Sequence, residues 1–305
     1  MEIKTVAILG AGAIGSYFIQ GLRGKLGKNL CVVAEGERKE RLEKEGLIIN
    51  GQPVSLNVKT PQEAKGIDLL IITVKYAALP SILSIVETVI DEHTLVLSPL
   101  NGIDSEIIIA KKIGSKNIVG SLMKIAVQRR GNVVTYMPNS GFGVIFGEKG
   151  GSLTDRITSL DKLFTGADMR HRISKNIIQD KWIKYALNVS KNLPQAIINV
   201  GFSAYAGSEH LAYISKKMRD EVVAVATAKG IDISDETNPL GINNCKPNAR
   251  FSTLQDLDAK RTTEIEMFSG ALIRMGKELN IPTPFNEFAY HAIKALEEKN
   301  AGLIS

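Results

Sequence analysis

Two textures divide the chain. Up to about residue 170, short apolar runs rich in β-branched residues alternate with segments of helical spacing. Residues 5–9 read as a strand that passes through glycines into an amphipathic helix over 13–26. A strand over 30–35 precedes a charged helix over 37–45. Residues 69–74 and 94–98 are further apolar strands, with a helix over 79–90 between them. Strands without internal polar alternation, separated by helices, predict an α/β fold with a mostly parallel sheet covered on both faces. Residues 133–136 and 142–146 read as added strands, with antiparallel pairing open to them.

Beyond residue 170 the period changes. Residues 176–200, 208–229, 253–279 and 286–299 carry apolar positions at helical spacing. Gly230 stops one of these helices, and residues 238–248, with two prolines and several asparagines, read as a loop. The expected organisation is an α/β domain over 1–170 and an all-α domain over 171–305, with the ligand site in a cleft between them.

Composition narrows the function classes. The 305 residues are 44% hydrophobic and 23% charged, which fits a globular chain and argues against disorder. The net charge of +6 comes without a long basic run or an aromatic-interleaved basic patch, so no nucleic-acid partner is expected. No apolar run approaches spanning length, and the start shows no signal-peptide pattern, so no membrane partner and a cytoplasmic location are expected. Cys31 and Cys245, with His93, His171, His210 and His291, are scattered, and no metal site is expected.

The first glycines change the picture. Gly10-Ala11-Gly12-Ala13-Ile14-Gly15 follows the first strand directly and opens a helix. In a Rossmann-type domain the first glycine permits the tight turn, the second admits a pyrophosphate, and the third allows close helix–strand packing. The helix N-terminus offers N–H groups and a positive dipole end to phosphate. Gly10, Gly12, Ala13, Ile14 and Gly15 are therefore candidate cofactor residues. Glu35, 20 positions after Gly15, is placed to accept from ribose hydroxyls and disfavours a 2′-phosphate. Arg38 and Lys39 are close enough in sequence to meet such a phosphate. NAD(H) and NADP(H) both stay open on this reading.

The second unusual pattern is a helical stripe of Lys184, Asn188 and Asn192. Residues four apart lie nearly on one face, drifting slightly. Asparagine is a poor helix former, so two in register suggest a task. Amides donate and accept, which suits a small substrate with hydroxyl, carbonyl and carboxylate groups. A lysine can protonate the oxygen formed when hydride reaches a carbonyl carbon, and a carboxylate can orient it. Glu264, expected on another helix, is the candidate orienter. The plain alternative is a polar surface stripe, with Pro194 kinking or ending the helix beyond it.

These segments resemble the ketopantoate reductases (2-dehydropantoate 2-reductases) over nearly the whole chain. The resemblance rests on the GAGAIG opening, Val74-Lys75, Asn101-Gly102, the run from Lys181 through Asn192, and the segment from Pro247 to Asp256 with Thr263-Glu264-Ile265-Glu266. It implies a Rossmann domain, a helical domain, and NADPH-dependent reduction of 2-dehydropantoate to D-pantoate on the route to pantothenate and coenzyme A. It also implies Lys184 as general acid and Glu264 as its support. Asn101, Asn188, Asn192 and Ser252 would hold the substrate, with Asn101 also near the nicotinamide and Lys75 near the cofactor. A homodimer through the helical domain is compatible with it.

Four positions depart from the family pattern. Ala78, Leu100 and Phe251 replace more polar residues, and Glu35 stands where many members have a basic one. Glu35, Leu100 and Phe251 motivate a second reading, an NAD-dependent D-2-hydroxyacid dehydrogenase taking branched or aromatic 2-keto acids. A third reading, a non-catalytic nucleotide sensor, is opposed by the intact set Lys184, Asn188, Asn192, Ser252 and Glu264.

Overall fold

The computed structural model describes residues 2–137, 141–234 and 246–305. Cys245 and most of the loop expected over 238–248 lie outside the described residues. The chain divides into two units. The first holds residues 1–101 and 105–177, the second residues 102–104 and 178–305.

The first unit starts with β1 (Val6–Leu9), α1 (Ala13–Leu26), β2 (Leu30–Val33) and α2 (Gly36–Glu45). Then come three short strands, β3 (Leu47–Ile49), β4 (Gln52–Val54) and β5 (Val58–Lys59), followed by β6 (Leu69–Ile72). The helix expected over 79–90 is broken at its start. Pro80 opens a 3-10 turn, Pro80–Ile82, and the α-helix proper, α3, runs only over Leu83–Val89. Next are β7 (Leu95–Leu97), α4 (Ser105–Ile113), β8 (Ile118–Lys124), β9 (Val127–Arg130), β10 (Val133–Tyr136), β11 (Gly143–Gly147), α5 (Asp155–Gly166) and β12 (His171–Ile173).

Eight of these strands form one sheet in the order β12-β11-β8-β7-β6-β1-β2-β5. Every pairing from β5 to β8 is parallel, and β11 runs antiparallel to β8. The parallel part is the doubly wound order of a dinucleotide fold, with its switch point between β1 and β6. The sheet is buried on both faces because its strands are apolar on both. Val6 and Ile8 of β1 join Tyr17, Phe18 and Leu22 of α1 in one core. Ala7 and Leu9 join Val86 and Val89 of α3 and Ile109 of α4 in the other. β12 completes this sheet, so the first unit extends through Ile177 rather than ending at the expected residue 170.

A second sheet, β4-β3-β10-β9, is the main element not foreseen. β10 was expected to add to the main sheet and instead pairs with β9 and β3. Leu47, Ile49 and Val54 from this sheet share the core with α1, and Tyr136 meets Tyr17 edge-on at 5.3 Å. The small sheet therefore rests on the helix that follows the glycine turn.

The described residues of the second unit contain helices and no strand. After α6 (Ile177–Leu187), a π-helical turn (Asn188–Asn192) leads into α7 (Leu193–Ile198). Then come α8 (Ala204–Gly207), α9 (Glu209–Ala228) and α10 (Ser252–Asp258). A second π-turn (Glu266–Gly270) leads into α11 (Ala271–Leu279), and α12 (Pro284–Asn300) closes the unit. The single helix expected over 253–279 is thus interrupted. α10 ends with Lys260 left-handed at φ +51°, and the Arg261 N–H returns to the Asp256 carbonyl at 2.8 Å. That closure usually uses glycine, so a lysine there gives no stop signal in sequence. α12 is capped from within the core, where the Glu221 carboxylate accepts from the N–H groups of Phe285 and Asn286 at 2.8 and 3.0 Å. Among the described residues no helix is long and apolar enough to cross a membrane.

Candidate active site

The cofactor candidates of the first unit gather at the carboxyl ends of β1, β2, β6 and β7, where open α/β sheets bind ligands. Gly10 leaves β1 at φ +114°, and a Cβ there would stand 2.7 Å from the Thr73 carbonyl carbon. A Cβ on Gly15 would lie 1.9 Å from the Gly10 carbonyl oxygen. The fold itself demands these two glycines. Gly12 differs. Its backbone is extended at φ −82°, and an added Cβ would meet nothing nearer than Thr73 O at 3.8 Å and Arg129 Nη1 at 3.9 Å. Nothing in the protein forbids a side chain at Gly12. Its absence leaves open the space beside the first turn of α1, which has no side-chain cap and no acidic residue. That is the donor set a diphosphate needs, so the residues present fit a dinucleotide.

Ala13, Ile14 and Gly15 form that first turn. Glu35 occupies the N-cap of α2 with its side chain exposed and makes no capping bond. Arg38 lies in the first turn of the same helix. Lys39, the other basic candidate, is turned to Glu43 in an i,i+4 ion pair. Lys75 precedes the 3-10 turn Tyr76–Ala78 after β6, and Asn101 follows β7. Leu100 is buried in the core on the α3 and α4 side of the sheet, where its apolar character has a packing reason.

Two residues that the sequence reading missed hold this turn. The Thr73 hydroxyl donates to the Gly10 carbonyl at 2.6 Å. The Arg129 guanidinium, from β9, donates through Nη1 to the Ala11 carbonyl at 2.7 Å. A hairpin signal for Arg129 was present, because Gly131-Asn132 separates two alternating runs. Nothing local says that this hairpin lies against residue 11, 118 positions earlier.

In the second unit the stripe is built on a change of helix type. Lys184 belongs to α6, while Asn188 and Asn192 bound the π-turn. In α geometry four residues overshoot a full turn by about 40°. In π geometry, with about 4.4 residues per turn, four residues fall short by about 30°. The drift expected along the stripe is therefore largely reversed, and Asn192 returns close to the line of Lys184. Pro194 sits just past the widened turn and continues α7 instead of ending the helix. It has no N–H for the Ser190 carbonyl, and the wider turn absorbs that lost bond. Lys184 and Asn188 are half-buried and Asn192 is buried.

Asn192 Nδ2 donates to Ser252 Oγ at 3.4 Å, joining two candidates 60 residues apart. Ser252 opens α10, and Gln195, fully buried, fixes the approach to it. Its Nε2 donates to the Ala249 carbonyl at 2.9 Å, and its Oε1 accepts from the Phe251 N–H at 2.7 Å. Phe251 packs against Phe202 at 5.8 Å, which accounts for an aromatic residue there. Glu264 was expected on a helix and instead lies in the bend ahead of the second π-turn, half-buried. Its carbonyl starts that turn by accepting from the Met267 N–H at 3.0 Å. Thr263 is anchored to Glu297, whose Oε1 accepts from its N–H and its hydroxyl at 2.7 Å each. Burial opposes charge on Glu297, but these bonds and Lys294 outweigh it and hold the carboxyl below its usual range. The Tyr185 hydroxyl, one residue from Lys184, donates to the Phe268 carbonyl at 2.5 Å and ties α6 to the segment bearing Glu264.

A family model described as "Ketopantoate reductase PanE/ApbA" matches residues 6–148, and one described as "Ketopantoate reductase PanE/ApbA C terminal" matches residues 176–297. The chain belongs to the ketopantoate reductase family. That membership makes it an oxidoreductase that acts on a CH–OH group. It is 28% identical to the 2-dehydropantoate 2-reductase of Pyrococcus horikoshii, across 97% of this chain and 99% of that protein. The fold matches a PanE/ApbA family ketopantoate reductase from Ralstonia eutropha with a TM-score of 0.81 at 24% identity, covering 97% and 99% of the two chains. It also matches a D-mandelate dehydrogenase, solved with NADH and anilino(oxo)acetate, with a TM-score of 0.83 at 24% identity and the same coverage.

Proposed function

We propose that this protein reduces 2-dehydropantoate to D-pantoate, with Lys184 as the proton donor. The observation that carries this reading is the Asn192–Ser252 hydrogen bond of 3.4 Å. It unites the two most specific sequence signatures on the unit that also holds Lys184 and Glu264. The name of the Pyrococcus horikoshii relative supports the same substrate.

A bound nicotinamide dinucleotide supplies the hydride that reaches the C2 carbonyl carbon. The Lys184 ammonium donates a proton to the resulting oxygen, so the carbonyl becomes a hydroxyl. Glu264 orients that ammonium and contacts the substrate. Asn188, Asn192 and Ser252 hold the hydroxyl and carboxylate groups, and these fixed dipoles stabilise the developing charge. Asn101 serves substrate and cofactor, and Lys75 lies near the cofactor. Gly10, Gly12, Ala13, Ile14 and Gly15 receive the diphosphate. Replacing Lys184 with alanine should lower kcat by about 10²–10⁴-fold with dinucleotide affinity unchanged. Turnover equal to wild type would remove Lys184 from the mechanism.

The D-mandelate dehydrogenase likeness keeps an aromatic 2-keto acid as the rival substrate. Leu100 and Phe251 weaken it, since both have packing partners of their own. A panel of 2-dehydropantoate, phenylglyoxylate and a branched 2-keto acid separates the two readings by kcat/KM.

A further inference from the structure

α7 is short because Asn199 turns left-handed at φ +58°, which ends the helix and reverses the chain. The block over 201–205 folds back beside the π-turn that precedes α7. There the Tyr205 hydroxyl donates to the carbonyl oxygen of Lys191, 14 positions earlier and next to Asn192. The Lys191 ammonium stands over the Tyr205 ring, 4.4 Å from its centroid, a second contact between the same two residues. Burial raises the pKa of the phenol, with the Gln195 N–H as a smaller opposing influence, so the oxygen keeps its proton and donates. A side-chain group bonded into the backbone ladder is one of the few physical causes of a local distortion in a helix.

The same block grips the segment that leads to Ser252. The Ser203 N–H donates to the Pro247 carbonyl at 2.8 Å, and Phe202 packs edge-on against Phe251, one residue ahead of Ser252, at 5.8 Å. Gly201 permits the approach, since a Cβ there would stand 2.9 Å from the Pro247 oxygen and 3.0 Å from Asn248 Cα. Phe202 and Tyr205 pack on each other at 6.0 Å. One short block thus touches both the turn that ends in Asn192 and the segment that ends in Ser252, the two residues that meet at 3.4 Å. Resting on the reading that this pair holds the keto acid, we propose that Tyr205 is a positioning residue for the reaction: its hydroxyl fixes the π-turn through Lys191 and so sets the Asn192 amide on Ser252. Lys184 lies on α6, ahead of the turn, and the Tyr185 hydroxyl fastens that helix separately. Tyr205 therefore governs how tightly the substrate is held and leaves the proton donor in place.

Steady-state kinetics on Tyr205→Phe test this, because the variant keeps the ring against Phe202 and the Lys191 ammonium and removes only the hydroxyl. With 2-dehydropantoate, or with phenylglyoxylate should that be the better substrate, KM should rise by about tenfold while kcat stays within about threefold. That split is the reverse of the kcat loss expected for Lys184→Ala, and dinucleotide affinity in a fluorescence titration should not change. In an Asn192→Ala background, Tyr205→Phe should raise KM by less than about twofold, since the group it positions is gone. Gly201→Ala displaces the Pro247 segment from the other side of the block and should raise KM as well. Should Tyr205→Phe fail to fold, Gly201→Ala decides, and an unchanged KM there would overturn the proposal. A wild-type KM in Tyr205→Phe beside a raised one in Asn192→Ala would overturn it while leaving the reading of the pair intact. A rise that persists in full on Asn192→Ala would overturn it too, by giving Tyr205 a general structural role. Unchanged kinetics in Asn192→Ala would remove the pair from the substrate site, and the proposal with it.

Discussion

Substituting alanine at Gly12 and, separately, at Gly15 distinguishes a glycine kept for the ligand from one kept for the fold. At Gly12 the added Cβ finds ordinary contact distances of 3.8 and 3.9 Å, and the backbone is extended. The helix loses some N-cap preference, about 0.5–1 kcal/mol, and the unfolded chain loses entropy worth about 0.4–1 kcal/mol in the opposite sense. The two nearly cancel, so Tm should move by about 2 °C or less. Dinucleotide affinity should fall by about ten- to a hundredfold, or about 1.4–2.7 kcal/mol, because the methyl group stands where the diphosphate approaches. At Gly15 the Cβ would be 1.9 Å from the Gly10 carbonyl oxygen and 2.8 Å from Thr73 Oγ1. The turn must shift, at a cost of about 1–3 kcal/mol or more, with Tm lower by roughly 5–10 °C. Thermal unfolding and quenching of intrinsic fluorescence by NADPH and NADH read both quantities. A Gly12→Ala protein as unstable as Gly15→Ala, or one with unchanged affinity, would refute the assignment of Gly12 to the ligand.

Other consequences can be checked directly. Gln195→Leu removes both bonds that hold the Ala249–Phe251 backbone, so KM for the keto acid should rise by about tenfold while dinucleotide binding is retained; steady-state kinetics with a fluorescence titration would show otherwise if Gln195 only fills space. Arg156, together with the Thr154 hydroxyl, holds the Glu148 carboxyl below its usual range. Its stabilising effect is full above the unfolded carboxyl pKa of about 4.3 and is lost as pH falls through the lower folded value, so Glu148→Gln should flatten the acid limb of stability below about pH 5. Burial pushes the Cys31 thiol up to about 11, so mass-spectrometric mapping at pH 8 should find Cys31 unalkylated in the folded protein and alkylated in urea.

The parallel sheet, its covering helices and the glycine turn could be read in sequence because their signals are local. An apolar run buried on both faces declares itself over four residues, as Val6–Leu9 and Leu69–Ile72 do. Lys184, Asn188 and Asn192 could be read as a line because helical spacing is also local. Tertiary structure decided the rest. The π-turn that realigns the stripe, the left-handed Lys260 that frees Glu264 from a helix and the bond from Asn192 to Ser252 depend on neighbours dozens of residues away. Leu100 and Phe251 looked like changes to a binding site until their packing partners were visible. Arg129 is the clearest case. Its hairpin is written in the sequence, but only the packing of a second sheet on α1 sets its guanidinium against residue 11. Short-range periodicity reports which face of an element is apolar, whereas which elements meet is a property of the assembled core.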